Sequence, residues 1–182
     1  MLERLLAHYE ELRRWAPGIS LIGPGTVETA VERHYAESLA GLSLIEGGRL
    51  LDVGSGGGFP GLVLAAARPE LETVLIERRQ RKAAFLRSAA RRMGLSVAVL
   101  EGDLRTVLPQ ARLQAVDSVT LRAVRLEADE WRVVLNAAKT DAAVVLWEGT
   151  EAPDRPGGLR EERVIELAGR KSRIVSLRRH PP

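Results

Sequence analysis

The sequence predicts an α/β fold in which a mostly parallel sheet is covered by helices on both faces, preceded by N-terminal helices and followed by an antiparallel hairpin. Short apolar segments alternate with segments of helical period between residues 49 and 147, as in strands linked by crossover helices. A glycine-rich loop follows the first strand, and two strand-like segments close the chain. The 182 residues contain no linker-like stretch, so we expect a single domain over residues 1–182.

The N-terminal part, residues 1–46, is predicted to be a helical segment that packs on this domain. Apolar residues recur on one side of residues 1–15 and again from Val31 to Leu42, with Thr26 as a candidate cap after loop signals at 23–25. The first helix alternates charge with leucine and lacks the apolar core of a signal peptide. No apolar run approaches the roughly 18 residues of a membrane span, so we expect no membrane association.

Five parallel strands and three linking helices are predicted after this segment. The strands are expected at 50–53, 73–76, 97–100, 115–121 and 142–147, and the helices at 62–67, 80–93 and 127–138. Two further segments, Arg163–Leu167 and Ile174–Leu177, predict the closing hairpin. Ligands of open α/β sheets bind at the carboxyl ends of the strands, so the candidate site lies in the loops that follow them.

The amino-acid composition restricts the kinds of site that the chain can form. The chain has no cysteine, which excludes disulfides and thiolate metal sites and fits a cytoplasmic protein. No metal is expected.

The basic residues are unevenly distributed along the chain. The net charge is +3, but the segment from Arg78 to Arg92 holds six arginines, one lysine and no acid. Such a patch can contact nucleic-acid phosphates or can be a solvated helix face, and both interpretations stay open for Arg87 and Arg91.

The strongest motif is the loop between the first strand and its helix, Leu50 to Gly61. Its Gly56-x-Gly58-x-x-Gly61 spacing matches a dinucleotide fingerprint. The strand, however, ends in Asp52, and a carboxylate suits a ligand that carries ammonium and sulfonium charges better than a pyrophosphate. Glu77 ends the second strand and can accept a ribose diol with either ligand. The loop therefore predicts a nucleoside ligand and favours S-adenosyl-methionine.

Several segments resemble one family in the same order along the chain, the small-subunit ribosomal RNA methyltransferase G family (RsmG, also called GidB). They are the glycine loop 52–61, Ala-Arg-Pro at 67–69, Arg33-His34, the basic helix 81–87, the strand end 117–124 and the closing strand 175–179. The resemblance implies a class I S-adenosyl-methionine-dependent methyltransferase of Rossmann-like fold. It also implies methylation at guanine N7 and a partner that is ribosomal RNA or the small ribosomal subunit. We expect a monomer.

The same resemblance implies residue roles. Gly54, Gly56, Gly58 and Phe59, beside Asp52, would line the methionine and adenosine part of the cofactor, and Glu77 would hold its ribose. Asp103, Leu104 and Arg105 would flank the adenine. Arg122 would lie beside the cofactor as a positioning group, and a structural salt bridge is the alternative for it.

Candidates for substrate contact are His34, Arg87, Arg91 and Trp147. Trp147 could stack on a splayed base or be a core side chain, and His34 could contact a phosphate or serve as a surface or capping residue. Guanine N7 carries a free lone pair, so its methylation requires no general base and only alignment of the reactants. The absence of cysteine argues against methylation at pyrimidine C5, which needs a thiolate nucleophile.

Three alternatives remain open at the level of sequence. The first is a divergent methyltransferase with another RNA or a small-molecule substrate, favoured by Glu148-Gly149 where the family has lysine-glycine. The second is a non-catalytic module that binds the cofactor or RNA. The third is an NAD-dependent oxidoreductase, for which no proton donor is evident.

Overall fold

The computed structural model describes residues 1–22, 30–149, 153–167 and 172–179. Seven strands form one sheet, and in chain order they are β1 Arg49–Val53, β2 Glu72–Glu77, β3 Val97–Glu101, β4 Val116–Arg122, β5 Ala138–Glu148, β6 Leu159–Glu166 and β7 Arg173–Arg179. The helices are α1 Leu2–Trp15, α2 Ala36–Ala40, α3 Gly61–Ala67, α4 Gln80–Arg92, α5 Leu104–Gln110 and α6 Ala128–Ala137. Within these ranges, no helix has the length and apolar character needed to cross a bilayer.

The strand order across the sheet is β3-β2-β1-β4-β5-β7-β6. Strands β1 to β5 pair in parallel, whereas β7 is antiparallel to both β5 and β6. The predicted fold class, a mostly parallel sheet with a C-terminal antiparallel hairpin, is confirmed. The order reverses between β1 and β4, which places the loops after these two strands side by side, as a ligand crevice requires.

Both faces of the sheet are covered, and neighbouring residues of one strand pack on opposite sides. Leu75 of β2 packs with Leu62 of α3 and Phe85 of α4, whereas Ile76 packs with Leu104 of α5 and Trp131 of α6. This alternation follows from the two-residue period of a strand. It leaves the middle of β2 covered on both faces, which explains why Val74, Leu75 and Ile76 form an apolar run rather than an alternating pattern.

Helix α1 packs against α4 and the start of α3. Leu12 is completely buried there, and the Trp15 and Phe85 ring centroids lie 6.0 Å apart. The carboxylate of Glu11 accepts hydrogen bonds from Trp15 Nε1 at 2.7 Å and from Ser88 Oγ at 2.6 Å. These bonds, together with the apolar contacts, attach α1 to the face of the sheet that carries α4.

The second helix differs from its prediction. In place of one helix over 31–42, the chain forms a π-helical turn at Val31–Tyr35, then α2, then a 3₁₀ turn at Gly41–Leu44. The carbonyls of Arg33 and His34 accept hydrogen bonds from the Arg122 guanidinium, a tertiary contact that the local apolar period cannot reveal. The predicted cap at Thr26 and the loop at 23–25 lie outside the described residues.

Other boundaries were also wrong. Helix α5 was not predicted, although Asp103 caps it by accepting the Arg105 amide at 2.9 Å; Pro109 in its last turn obscured the helical pattern. Strand β6 begins at Leu159 instead of Arg163. The sequence pattern missed its first residues because β6 is a largely exposed edge strand, and such a strand needs no apolar alternation. Strand β5 begins at Ala138, with an irregularity in its pairing to β4 before Ala143.

Candidate functional site

Two adjoining cavities open at the carboxyl ends of the parallel strands. The first has a volume of about 350 Å³ and the second about 320 Å³. Their linings share Gly54, Gly56, Arg79, Lys82 and Ala123. Loops after β1, β2 and β4 meet there, which is the position expected for a ligand site in an open α/β sheet.

The glycine loop fits a closely approaching ligand. Gly54 has φ of +72°, and a Cβ on it would lie 2.4 Å from Val124 Cγ2, so a side chain at this position would be strained and would collide. Gly56 has φ of +51°, and a Cβ there would meet only the Gly54 carbonyl, at 3.7 Å. The backbone is therefore tightly packed behind Gly54 and open to a ligand beside Gly56.

Glu77 lies on the wall of the first cavity, at the end of β2. Its Oε2 accepts the Gly56 amide hydrogen at 3.0 Å, and its Oε1 accepts the Arg79 amide hydrogen at 2.8 Å. Each carboxylate oxygen can accept a further hydrogen bond. Glu77 can therefore hold the glycine loop and still accept a pair of hydroxyls, which fits the ribose role predicted for it.

Asp103, Leu104 and Arg105 also line the first cavity. Leu104 is buried and offers an apolar surface beside Ile76. Hydrogen bonds from the Arg105 side chain and amide lower the pKa of Asp103 to about 2, so its carboxylate is ionised at neutral pH. A cavity lined by carboxylates and an apolar side chain fits an adenosine-sized ligand, and the volume lies in the range of small-molecule sites.

Arg122 ends β4 and lines the second cavity together with His34. Its guanidinium donates to the Arg33 carbonyl at 2.9 Å and forms an ion pair with Glu37. It also donates to His34 Nδ1 at 3.1 Å. Because a guanidinium can only donate, Nδ1 is the acceptor and the hydrogen of the neutral His34 ring lies on Nε2. Arg122 therefore orients one cavity-lining side chain and joins the N-terminal segment to β4.

The Asp52 carboxylate is buried, with 1% of the residue exposed. Thr120 Oγ1 of β4 donates to its Oδ1 at 2.7 Å, and a Cβ on Gly61 would lie 2.6 Å from its Oδ2. Burial raises the pKa of Asp52 to about 6, and the Thr120 hydrogen bond opposes this shift. Asp52 thus joins β1, β4 and the start of α3, whereas its direct contact with a ligand stays a prediction.

Phe59 and Gly58 belong to the outer part of the glycine loop. Phe59 lines the second cavity, and its ring centroid lies 5.0 Å from that of His34. Gly58 instead packs against Leu62 and His8, since a Cβ on it would lie 2.7 Å and 2.9 Å from their side chains. Gly58 is not among the residues that line the two cavities, and its predicted contact with the cofactor stays a prediction.

Two basic residues were missed as individual site residues by the sequence analysis. Arg79 and Lys82 line both cavities. Burial and the charge of Arg79 lower the pKa of Lys82, while Glu77 raises it. Both residues lie in the arginine-rich segment that the sequence analysis noted. They face the cavities because they lie at the start of α4, which begins at Gln80, whereas the later arginines lie further along the helix.

The structure does not bring Arg87, Arg91 or Trp147 into either cavity lining. Arg87 is on the exposed face of α4 and pairs with Glu101 at 2.9 Å, and Arg91 is exposed further along the same helix. The Trp147 residue is 9% exposed, and its Nε1 donates to the Glu37 carbonyl at 2.8 Å. A Cβ on Gly41 would lie 2.3 Å from the Trp147 ring. This close packing argues against a stacking platform.

Glu148 is not an exposed acid at the rim. Its side chain is 1% exposed and forms ion pairs with Arg155 and, at 3.1 Å, with Arg173. Both arginines also pair with Glu161. The charge of Glu148 is therefore neutralised inside the hairpin end of the sheet, which weakens the argument from Glu148-Gly149 for another substrate.

Comparisons with known proteins agree on one family. The family model GidB, described as rRNA small subunit methyltransferase G, matches residues 1–178. A protein named Ribosomal RNA small subunit methyltransferase G from Mycobacterium marinum is 37% identical over 153 residues, which is 82% of this chain and 65% of that protein. The protein of the same name from Desulfotalea psychrophila is 45% identical over 95 residues, 51% of this chain and 44% of that protein. The chain thus spans about half to two thirds of these relatives.

Solved structures share the fold. A SAM-dependent methyltransferase from Aquifex aeolicus superposes with a TM-score of 0.65 at 17% identity, over 93% of this chain and 97% of that chain. A cofactor-bound protein from MTB gives a TM-score of 0.70 at 20% identity, over 98% of this chain and 90% of that chain. At such identities the likeness establishes the class I methyltransferase fold alone.

Proposed function

This chain belongs to the GidB family of rRNA small subunit methyltransferase G proteins, and from that premise we propose that it transfers a methyl group from S-adenosyl-methionine to small-subunit ribosomal RNA. The acceptor in this proposal is guanine N7. The substrate is ribosomal RNA, free or within the small ribosomal subunit, and the place of action is the bacterial cytoplasm.

The observation that carries the proposal is the junction of the two cavities at Gly54, Gly56 and Ala123. The first cavity offers Glu77 for a ribose and Leu104 for an adenine. The second cavity is bordered by Ile22, His34 and Arg122 and has room for one base. A nucleoside cofactor and a target base held in these two cavities meet where the glycine loop leaves open space beside Gly56.

The reaction requires the protein to align the two reactants but not to supply a general base. Bound S-adenosyl-methionine supplies an electrophilic methyl group; the N7–carbon bond forms as the carbon–sulfur bond breaks, and the electron pair of that bond passes to sulfur. The chain holds the reactants in line and excludes water, and no side chain has to remove a proton. Arg122 stays protonated and cannot act as a base, so its part is to position.

Basic residues near the opening support an RNA substrate. Arg79 and Lys82 line both cavities, whereas Arg91 is exposed on another face of α4, because nine residues turn a helix by about two and a half revolutions. Cations at the cavities can contact the backbone phosphates of an RNA whose base enters the second cavity. Arg87 already pairs with Glu101, so Arg91 is the better candidate of the two arginines proposed for RNA contact.

The first test is calorimetric titration with S-adenosyl-methionine, S-adenosyl-homocysteine and NAD, on the wild type and on Gly56→Val. Micromolar affinity for the two adenosyl compounds, lost in the variant and absent for NAD, is the expected result. Absence of adenosyl binding would sink the proposal, and a preference for NAD would favour an oxidoreductase.

The second test is transfer of a radiolabelled methyl group to free small-subunit RNA and to the isolated small subunit, followed by nucleoside analysis. We expect label in 7-methylguanosine. Cofactor binding without transfer to either substrate would point to a binding module, and label in a different nucleoside would refute the N7 assignment.

A further inference from the structure

His8 lies on α1 and is completely buried, yet both of its ring nitrogens are hydrogen-bonded. Nε2 lies 3.0 Å from the carbonyl oxygen of Gly57 in the glycine loop, and Nδ1 lies 2.7 Å from the hydroxyl of Tyr35. A carbonyl can only accept, so Nε2 carries the hydrogen and Nδ1 of the neutral ring accepts the Tyr35 hydroxyl hydrogen. The two contacts therefore define one tautomer without ambiguity.

The packing around these bonds involves the same loop. The ring of Phe59 lies edge-on to that of His8 at 5.2 Å and to that of Tyr35 at 4.9 Å. A Cβ on Gly57 would lie 2.6 Å from the carbonyl oxygen of Leu21. The N-terminal segment thus covers the outer side of the glycine loop closely, and His8 supplies its hydrogen bond.

The inner side of the loop has a different anchor. Glu77 accepts the Gly56 amide hydrogen, and the Gly54 and Ser55 amides donate to the Ile76 carbonyl at 2.9 Å and 3.0 Å. The loop is therefore held from β2 on the side of the first cavity and from α1 on the other side. The second anchor joins residues 49 positions apart in sequence and depends on α1 being packed in place.

We propose that His8, held in its Nε2–H tautomer by Gly57 and Tyr35, is a positioning residue that sets the conformation of the glycine loop for the cofactor. This inference rests on the proposed cofactor site, and it assigns to the N-terminal helix a direct part in forming that site. Burial lowers the pKa of the His8 imidazole to about 4. The ring is therefore neutral at physiological pH and keeps both hydrogen bonds.

The test uses the full chain and four variants. His8→Phe fills the ring volume without hydrogen bonds, His8→Gln keeps a donor, and Tyr35→Phe removes only the second bond. Leu12→Val is the matched control, because Leu12 is completely buried on the same helix but its side chain cannot hydrogen-bond to the loop. Circular dichroism at the temperature of titration verifies that each variant is folded.

The first readout is affinity for S-adenosyl-homocysteine by calorimetry. We expect His8→Phe to weaken binding about tenfold, as for loss of one buried hydrogen bond that leaves a carbonyl unpaired, with smaller losses for His8→Gln and Tyr35→Phe. Leu12→Val should lower the melting temperature and leave affinity within about twofold of wild type. Equal affinity in His8→Phe and wild type, or an equal loss in Leu12→Val, would overturn the proposal.

The second readout does not depend on any ligand. Proton–nitrogen correlation spectra of the imidazoles should show His8 protonated at Nε2 only, assigned by its loss in His8→Phe. Hydrogen exchange at the Gly58 amide, which donates to the Ser55 carbonyl at 2.7 Å, should accelerate in His8→Phe and not in Leu12→Val. If the wild type binds no adenosyl compound, the proposed function fails, and these spectra alone decide the role of His8; an Nδ1–H tautomer or unchanged exchange would refute it.

Discussion

The Arg122 guanidinium at the end of β4 donates to Nδ1 of His34, 3.1 Å away on the π-helical turn. The same guanidinium pairs with Glu37 and caps the Arg33 carbonyl. One side chain therefore contacts three groups of the N-terminal segment, and it does so at the lining of the second cavity.

Arg122→Lys should impair transfer more than cofactor binding. An ammonium keeps the charge but cannot reach the Arg33 carbonyl, Glu37 and His34 together. We expect the methyl-transfer kcat to fall about 10- to 100-fold, as for misplaced reactants, with S-adenosyl-homocysteine affinity within a few-fold of wild type. The control is Arg49→Lys, an exposed partner of Glu72 at the opposite end of the sheet. Equal kcat in the two variants would contradict the positioning role.

Glu77→Gln should weaken cofactor binding. Glutamine can accept only one of the two amide hydrogens that Glu77 now accepts, and its own NH₂ would face the other amide. A hydrogen bond to a charged group contributes about 1.5–3 kcal/mol, so affinity should fall about 10- to 100-fold. Calorimetry on Glu72→Gln, at the exposed start of the same strand, provides the control. Unchanged affinity in Glu77→Gln would remove Glu77 from the binding site.

Asp52→Asn should raise stability in a pH-dependent way. Because the folded-state pKa of Asp52, about 6, lies above its unfolded value, the folded wild type binds the extra proton, and its stability falls as pH rises from about 4 through 6. Asparagine keeps an acceptor for Thr120 and does not titrate. The difference in unfolding free energy between variant and wild type should therefore grow by about 3 kcal/mol between pH 4 and 7. Urea denaturation across that range measures it, and a constant difference would show that folding leaves the pKa of Asp52 unshifted.

Glu148→Lys should destabilise the protein although lysine is the residue that the family resemblance implies there. The change removes the partner of Arg155 and Arg173 and places a third cation among them in a buried setting. Removing one member of a buried ion pair costs about 3–5 kcal/mol. Glu162→Gln, which breaks the exposed pair with Arg178, should cost less than about 1 kcal/mol. Thermal melts that rank the two variants in the opposite order would refute the buried network.

The sequence was sufficient for the parts of the site that depend on local pattern. A buried strand followed by glycines located Gly54 and Gly56, and the acid at the end of the next strand located Glu77. The chain order of strands and helices also predicted the sheet. Each of these features follows from periods of two or 3.6 residues and from glycine spacing, which are visible along the chain.

Features that depend on distant partners were not visible. The sequence does not show that His8 contacts Gly57, 49 residues away. It also does not show that Glu148 is buried in ion pairs with Arg155 and Arg173. Trp147 carries no mark of its packing against Gly41. Arg79 and Lys82 could not be separated from Arg87 and Arg91 because the phase of α4 relative to the cavities is set by tertiary packing.

The attachment of α1 to α4 bears on the order in which the molecule assembles. Glu11 and Ser88 are 77 residues apart, so α1 cannot reach its final place until β1, β2 and α4 have been synthesised. Loop closure over such a separation is entropically costly, so this contact needs the rest of the packed interface to hold it. The outer support of the glycine loop, which depends on α1 being packed on α4, is therefore absent from a nascent chain until α4 has been synthesised.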